Sequence, residues 1–189
     1  MALPRLIAIL DANVLYPFFQ RDLLLNLAYE EMYIPKWSDE IEREWVQNLK
    51  ANRPDISSNL DRTLTLMDKA FPDAKVHGYE KHIHTLALPD KDDRHVLAAA
   101  IECKADVIVT YNLDDFPEEK LSGHDISAFS PDQFISLIID SNPLLLRNAL
   151  EAMVKVRKNP PVSLEELIGL IAERGMPESA AKIKRLLNL

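Results

Sequence analysis

Short apolar runs that end at polar residues alternate along the chain with stretches whose apolar positions recur at helical spacing. Leu6–Leu10 stops at Asp11, and the β-branched run Val107–Val109 stops before a polar segment. Short runs of this kind predict buried strands, whereas the spacing over residues 91–104 predicts a helix. Strands that alternate with helices indicate an α/β fold with a parallel sheet covered on both faces.

Polar residues and prolines mark the ends of further predicted elements. Ser38 can cap a helix that runs to about residue 51, and Asp90 can cap the helix over residues 91–104. The remaining predicted elements of this part are helices at 14–31, broken near Pro17, and 57–71, and weaker strands at 32–35, 75–77 and 83–86.

Beyond residue 130 the pattern is helical throughout. Ser130-Pro131-Asp132-Gln133 combines a capping serine, a first-turn proline and a glutamine three residues on, which is a helix start. Ser163 with Glu166 is a second capping box, and residues 159–162 are the best linker candidate. We therefore predict two domains, at residues 1–130 and 131–189.

Composition places the protein among cytoplasmic globular chains. Of its 189 residues 47% are hydrophobic, enough for a packed core. Cys103 is the single cysteine, so no internal disulfide can form and a reducing compartment is expected. The first apolar run is interrupted at Asp11, too early for a signal peptide or a membrane span.

Charge is distributed unevenly. The net charge of −8 argues against broad, salt-driven binding of nucleic acid. Residues 1–143 hold 14 basic and 25 acidic residues, whereas residues 144–189 hold 8 and 5. The basic tail fits either an acidic partner or phosphate backbone, or simply a solvated helical face.

Acidic residues stand where elements begin or end. Asp11 follows a strand, and ligands of open α/β folds bind at the carboxyl ends of strands. Asp93 shares a helix face with Val96 and Leu97, although acids near Asp90 can also merely complement a helix dipole. Converging acids suggest a site for a hard divalent cation, which takes oxygen ligands.

Two further acidic segments can be either part of the site or ordinary surface and turn residues. In the helix after Ser38, periodicity slightly favours Glu42 over Glu44 as the inward acid, and both fit a solvated face. Asp114 and Asp115 follow the strand at residues 107–109, where a turn would use the same residues.

With these residues in hand, the chain resembles PIN-domain proteins, and more narrowly VapC-type toxin nucleases, over about residues 5–130. The matching pieces lie in the family's order and spacing. They are Asp11-Ala12-Asn13-Val14-Leu15, Ser38 with Glu44, Asp93 with Val96-Leu97-Ala98-Ala99-Ala100, and Val109-Thr110-Tyr111-Asn112 with Asp115-Phe116.

The resemblance implies a three-layer α/β/α fold, with the later helices as the extension of larger VapC-like proteins. It also implies a toxin of a toxin–antitoxin pair, an endoribonuclease dependent on Mg²⁺ or Mn²⁺ that hydrolyses RNA by metal-activated water. A small antitoxin protein would neutralise it, and homodimers are common among such proteins. Asp11, Glu44 and Asp93 match the metal-binding acids, which decides for Glu44 over Glu42.

Around the second strand end the match is incomplete. Family members often have Asp where this chain has Asn112, a weaker neutral ligand, and Asp115 can supply the missing charge. Asn13 and Thr110 match positions that orient ligands or the attacking water. Arg94 can contact phosphate or pair with a neighbouring acid.

Three other interpretations stay open at this point. His95 could help to position RNA, but its offset of two from Asp93 favours a structural or surface role. The presence of Asn112, where family members often have Asp, also fits a catalytically inactive PIN-like binding module. A phosphatase with an aspartyl nucleophile is less consistent, because Asn13 stands where such enzymes usually have a second Asp.

Overall fold

The computed structural model describes residues 5–189, apart from the side chains of residues 56–58. Its strands are β1 Ile7–Leu10, β2 Ile34–Ser38, β3 Lys75–Val76, β4 Val107–Val109 and β5 Ser127–Phe129. Its helices are α1 Ala12–Leu15, α2 Phe18–Tyr29, α3 Asp39–Asn52, α4 Ser57–Ala70, α5 Glu80–Ile83, α6 Arg94–Glu102, α7 Glu118–Leu121, α8 Pro131–Ile138, α9 Pro143–Val156, α10 Leu164–Glu173 and α11 Pro177–Leu187.

The five strands form one parallel sheet in the order β3-β2-β1-β4-β5. Ile9 pairs with Lys36 of β2 on one side and with Ile108 of β4 on the other, so β1 is the central strand. The loops after β1 and β4 consequently leave the sheet side by side at its carboxyl edge.

Helices cover both faces of this sheet. Val107, Ile108 and Val109 are all buried, although consecutive side chains of a strand point to opposite faces. Helix α6 packs against β1, β2 and β4, and α2 packs against β2. The predicted three-layer α/β/α fold with a parallel central sheet is confirmed.

Most predicted helix starts are confirmed by their capping bonds. Ser38 Oγ accepts the Ile41 N–H at the start of α3, and both capping boxes, at Ser130 and Ser163, are formed. Helix α6 is shorter than predicted and begins at Arg94, because the Asp90 carboxylate accepts the Asp92 N–H within a preceding turn.

One predicted strand is wrong. Residues 83–86 form the end of α5 and a following turn. The Thr85 and Leu86 N–H groups donate to the carbonyls of His82 and Ile83, at 3.1 and 3.3 Å, so they satisfy their hydrogen bonds locally instead of in a ladder. The strand predicted at 32–35 begins two residues later, at Ile34, because the Met32 N–H closes the end of α2 on Leu27 O.

The C-terminal helices pack directly against the first part of the chain. Helix α9 lies on α2, where Arg157 donates to Asp22 Oδ2 at 2.7 Å, and α8 follows β5. The segment at residues 159–162 lies between α9 and α10, inside the extension. The domain division at residue 130 stays a prediction. Across the described residues, no helix has the length and apolar character needed to cross a bilayer.

Candidate active site

Asp11 occupies the carboxyl end of the central strand and is held there by three donors. Its Oδ1 accepts the Ala12 N–H at 2.6 Å, and its Oδ2 accepts Asn13 Nδ2 at 2.7 Å and the Thr110 hydroxyl at 2.6 Å. The residue is only 3% exposed. Burial raises the pKa of Asp11 and the charge of Glu44 adds to the rise, while the Thr110 and Ala12 hydrogen bonds oppose it.

The loop after β4 is tied to the loop after β1 by the same network. Asn13 Nδ2 also donates to Thr110 Oγ1 at 3.0 Å, while Asn13 Oδ1 accepts the Tyr111 N–H at 3.1 Å. Thr110 Oγ1 further accepts the Asn112 N–H at 3.0 Å. Asn13 and Thr110 therefore orient the Asp11 carboxylate and fix the backbone of the second loop.

Asp93 stands at the start of α6, facing the same edge of the sheet. Its carboxylate is partly buried, and one of its oxygens, Oδ2, is buried without a hydrogen-bond partner. Burial, followed by the negative charges of Asp11, Asp115 and Asp90, raises the pKa of Asp93 to about 7. The acids predicted from separate segments thus act on one another electrostatically.

On helix α3, Glu44 and Glu42 have different surroundings. The Glu44 carboxylate lies 3.7 Å from His95 Nε2, and its charge reaches Asp11. Glu42 is instead paired with Lys75, at 2.8 Å. Glu44 is therefore the glutamate whose charge acts on the cluster. The separate ion pair of Glu42 with Lys75 explains why periodicity slightly favours Glu42 as the inward acid.

The other predicted site residues lie around this cluster. Asp115 is partly buried in the single-turn 3₁₀ helix after β4, where its charge acts on Asp93. Asn112 precedes that turn and has an exposed side chain. Arg94 is partly buried and donates through Nε to the Lys91 carbonyl at 2.8 Å.

The donor set is suited to a hard divalent cation. Asp11 and Asp93 contribute carboxylates with raised pKa values, and the unpartnered Asp93 Oδ2 is an oxygen without a donor. Among residues 5–189, no three His, Cys, Asp or Glu side chains already stand together as a complete ligand set. The Glu44 side chain is half exposed, so it has room to turn toward the other two acids.

His95 is a member of the site that sequence reasoning placed elsewhere. It is 9% exposed, with Nε2 near Glu44 and Nδ1 4.0 Å from Glu40. Burial disfavours a charged imidazole, but the carboxylates of Glu44 and Glu40 outweigh it and raise the pKa of His95. The available signal in the sequence was its place at the head of the apolar run Val96–Ala100, which argues against a surface position.

Gln20 is a second missed neighbour of the site. It is 3% exposed, and its Oε1 accepts the Tyr111 hydroxyl at 2.5 Å. No sequence motif predicts the hydrogen bond between Gln20 and Tyr111, because the two residues are distant along the chain.

A parallel sheet with acids gathered at its carboxyl edge is typical of α/β proteins that bind a metal ion at the strand ends, and similarity to known proteins identifies the family. The chain belongs to the PIN-domain family, because the family model described as "PIN domain" matches residues 8–114, more than half of the chain. A second model, described as "VapC50 C-terminal domain", matches residues 131–185. The chain is therefore a VapC-type PIN protein with a C-terminal extension, as its motifs predicted.

A curated protein of Mycobacterium tuberculosis, named "Putative ribonuclease VapC50", is 38% identical to this chain over 94 residues. The aligned region covers 50% of this chain and 55% of that protein, so the chain spans about half the length of the curated relative it matches. No solved structure matches the chain.

Proposed function

We propose that this protein is a metal-dependent endoribonuclease, the toxin of a toxin–antitoxin pair, which hydrolyses RNA phosphodiester bonds. One observation carries the proposal: Asp11, Glu44, Asp93 and Asp115 come from four separate segments to one edge of the sheet. Burial and neighbouring negative charge raise the pKa values of Asp11 and Asp93. Gathering like charges in this way is unfavourable in a folded protein unless it serves a site.

The chemistry of the donors indicates which cation the site would hold. Asp11, Asp93 and Glu44 would hold Mg²⁺ or Mn²⁺ through carboxylate oxygens, and the Asn112 amide is a weaker neutral donor beside them. Such an ion, when bound, lowers the pKa of water and neutralises charge on a phosphodiester.

The chain's own groups would then do the positioning. Thr110 and Asn13 hold the Asp11 carboxylate at Oδ2, so that its orientation does not depend on substrate. Asp115 adds negative charge beside Asp93. Arg94, at the start of α6, would contact a phosphate group of the RNA. In-line attack of water would leave a 5′-phosphate and a 3′-hydroxyl.

The substrate and partner are inferred from relatives. The matched mycobacterial protein is named a ribonuclease, which supports RNA as the substrate. The VapC-type family supports a small antitoxin protein as the partner. We further propose a cytoplasmic location and a homodimer.

A PIN-like binding module without catalytic activity is the second candidate. Asn112 favours it, because a neutral amide stands where relatives often have a carboxylate. Such a module would bind its partner through the acidic edge and turn over no RNA at any metal concentration.

Cleavage of RNA by purified, antitoxin-free protein tests the proposal. We expect cuts with Mg²⁺ or Mn²⁺, none with EDTA, and none from the Asp93→Asn variant. Asp92→Asn is the matched control, because Asp92 is an exposed acid one residue away. A folded, metal-loaded protein that leaves RNA intact would shift the assignment to the binding module, and equal loss in both variants would contradict the role of Asp93.

A further inference from the structure

Tyr111 lies in the loop after β4, and its backbone is hydrogen-bonded to the network that holds Asp11. It lies between Thr110, which donates to Asp11, and Asn112. Its backbone N–H donates to Asn13 Oδ1, and the same Asn13 side chain donates to Asp11 Oδ2. Two hydrogen bonds therefore connect the Tyr111 backbone to the carboxylate of the central strand.

The ring is anchored at its far end as well. The Tyr111 hydroxyl donates to Gln20 Oε1 at 2.5 Å, and Gln20 is itself buried in α2. Even so, Tyr111 is 44% exposed. A ring that is fixed at both ends but left half open to solvent has lost its conformational freedom before any ligand binds.

The surroundings of Tyr111 on its other side are also fixed. Asp132 lies close enough for its charge to act on Tyr111, and its carboxylate accepts the N–H groups of Glu178 and Ser179, at 3.0 and 2.7 Å. Asp132 is thus engaged by the extension, and the Tyr111 hydroxyl is engaged by Gln20.

We propose that the solvent-exposed part of the Tyr111 ring stacks on an unpaired base of the RNA next to the scissile phosphate. The inference rests on the proposed function for the identity of the ligand. A base inside a duplex has no free face, whereas an unpaired base can stack on an aromatic ring whatever its identity.

A second exposed tyrosine supplies the matched control. Tyr29 is 68% exposed and ends α2, which begins near the carboxyl edge and runs back along the sheet. It therefore lies at the opposite end of the same helix that holds Gln20. Loss of its ring removes similar aromatic surface away from the acids.

The test measures binding of a fluorescent single-stranded oligoribonucleotide by anisotropy, with Ca²⁺ in place of Mg²⁺ so that binding is followed without relying on turnover. Tyr111→Ala is expected to weaken binding about tenfold. Tyr111→Phe keeps the ring but loses its hydrogen bond to Gln20, so it should weaken binding much less than Tyr111→Ala does. Tyr29→Ala should bind like the parent protein. A duplex of the same sequence should bind more weakly than the single strand and should not respond to Tyr111→Ala.

A second probe removes the base instead of the ring. A set of oligonucleotides, each with one abasic position, should contain one that binds the parent about tenfold more weakly, and Tyr111→Ala should add little to that loss. Equal affinity of Tyr111→Ala and the parent, or no RNA binding by the parent, overturns the inference. Ring-dependent binding without metal-dependent cleavage would instead uphold the stacking and contradict the nuclease.

Discussion

Asp93, at the carboxyl edge of the sheet, and the acidic side chains Asp132 and Asp140, in the C-terminal extension, have opposite surroundings. At the edge, burial and the charge of Asp11 raise the pKa of Asp93, and one Asp93 oxygen is buried without a partner. In the extension, Asp132 accepts two backbone N–H groups of α11, and Asp140 pairs with Lys182 at 2.5 Å.

The difference separates two uses of a carboxylate. Acids that accept hydrogen bonds or pair with a basic group lower the free energy of the folded state relative to the unfolded chain, as helix caps and ion pairs do. Acids brought together without positive charge raise it, and such an arrangement marks a functional site. The comparison can be sharpened by exchanging single carboxylates for amides in each region.

The largest effect is expected at Asp11. Asp11→Asn should reduce metal-dependent RNA cleavage by more than about 100-fold, beyond the usual cost of losing a group that only orients a ligand. Asp132→Asn should leave the cleavage rate within about threefold of the parent. Single-turnover cleavage with Mn²⁺ measures both, and near-parental activity of Asp11→Asn would remove Asp11 from the site.

The next largest effect distinguishes Glu44 from Glu42, the two glutamates of α3, by their contributions to cleavage and to stability. Glu44→Gln should slow cleavage by about 10- to 100-fold, because it removes a carboxylate from the cluster. Glu42→Gln should keep the activity and lower the free energy of unfolding by about 1 kcal/mol, through the lost pairing with Lys75. The same assay with urea denaturation separates them, and the reverse pattern would make Glu42 the functional acid.

Protonation of Asp93 makes stability depend on pH in EDTA. Its pKa is about 7 in the folded protein and near its ordinary value of 3.8 in the unfolded chain. Between these values the folded state holds a proton that the unfolded chain has released, so the free energy of unfolding falls as pH rises through this window.

Asp93→Asn removes that slope. From about pH 5 to about pH 8, the parent should lose about 2 kcal/mol relative to the variant, after allowance for solvent screening of a partly exposed group. Urea denaturation of both proteins at the two pH values measures the difference. Parallel pH profiles would show that Asp93 ionises normally.

Much of this arrangement could be predicted from local pattern. The β-branched run Val107–Val109, followed by polar residues, predicts a strand and its end. Ser130 and Ser163 predict helix starts, because capping depends on residues that are neighbours in sequence. Residues 83–86 could not be predicted, since their apolar character fits a strand while their local hydrogen bonds form a turn.

The site divides in the same way. The position of Asp11 after a strand follows from sequence. Periodicity alone could not choose Glu44 over Glu42, because Glu42 is held by Lys75, which is distant along the chain. His95 is similar, because its contact with Glu44 joins two helices. Periodicity reports which face of a helix is buried and carries no information about the partners on that face.

Within the extension, the cap that α8 supplies to α11 should account for a measurable share of stability. Asp132→Ala removes both acceptors for the Glu178 and Ser179 N–H groups, and the loss of a helix cap costs about 1 kcal/mol. Thermal or urea unfolding should show this loss, with RNA cleavage retained. A variant as stable as the parent would mean that solvent replaces the carboxylate without cost.

The smallest effect is expected for Asp140→Asn. Asp140 is an exposed residue, so its ion pair with Lys182 is screened by solvent and should contribute less than about 0.5 kcal/mol. Lys182 also donates to the Ser136 carbonyl at 2.6 Å, so its ammonium group keeps a partner when the carboxylate is removed. Urea denaturation at low and high salt should give nearly equal free energies for variant and parent. A loss as large as that of Asp132→Ala would mean that surface pairing, in addition to backbone capping, holds α11 against α8.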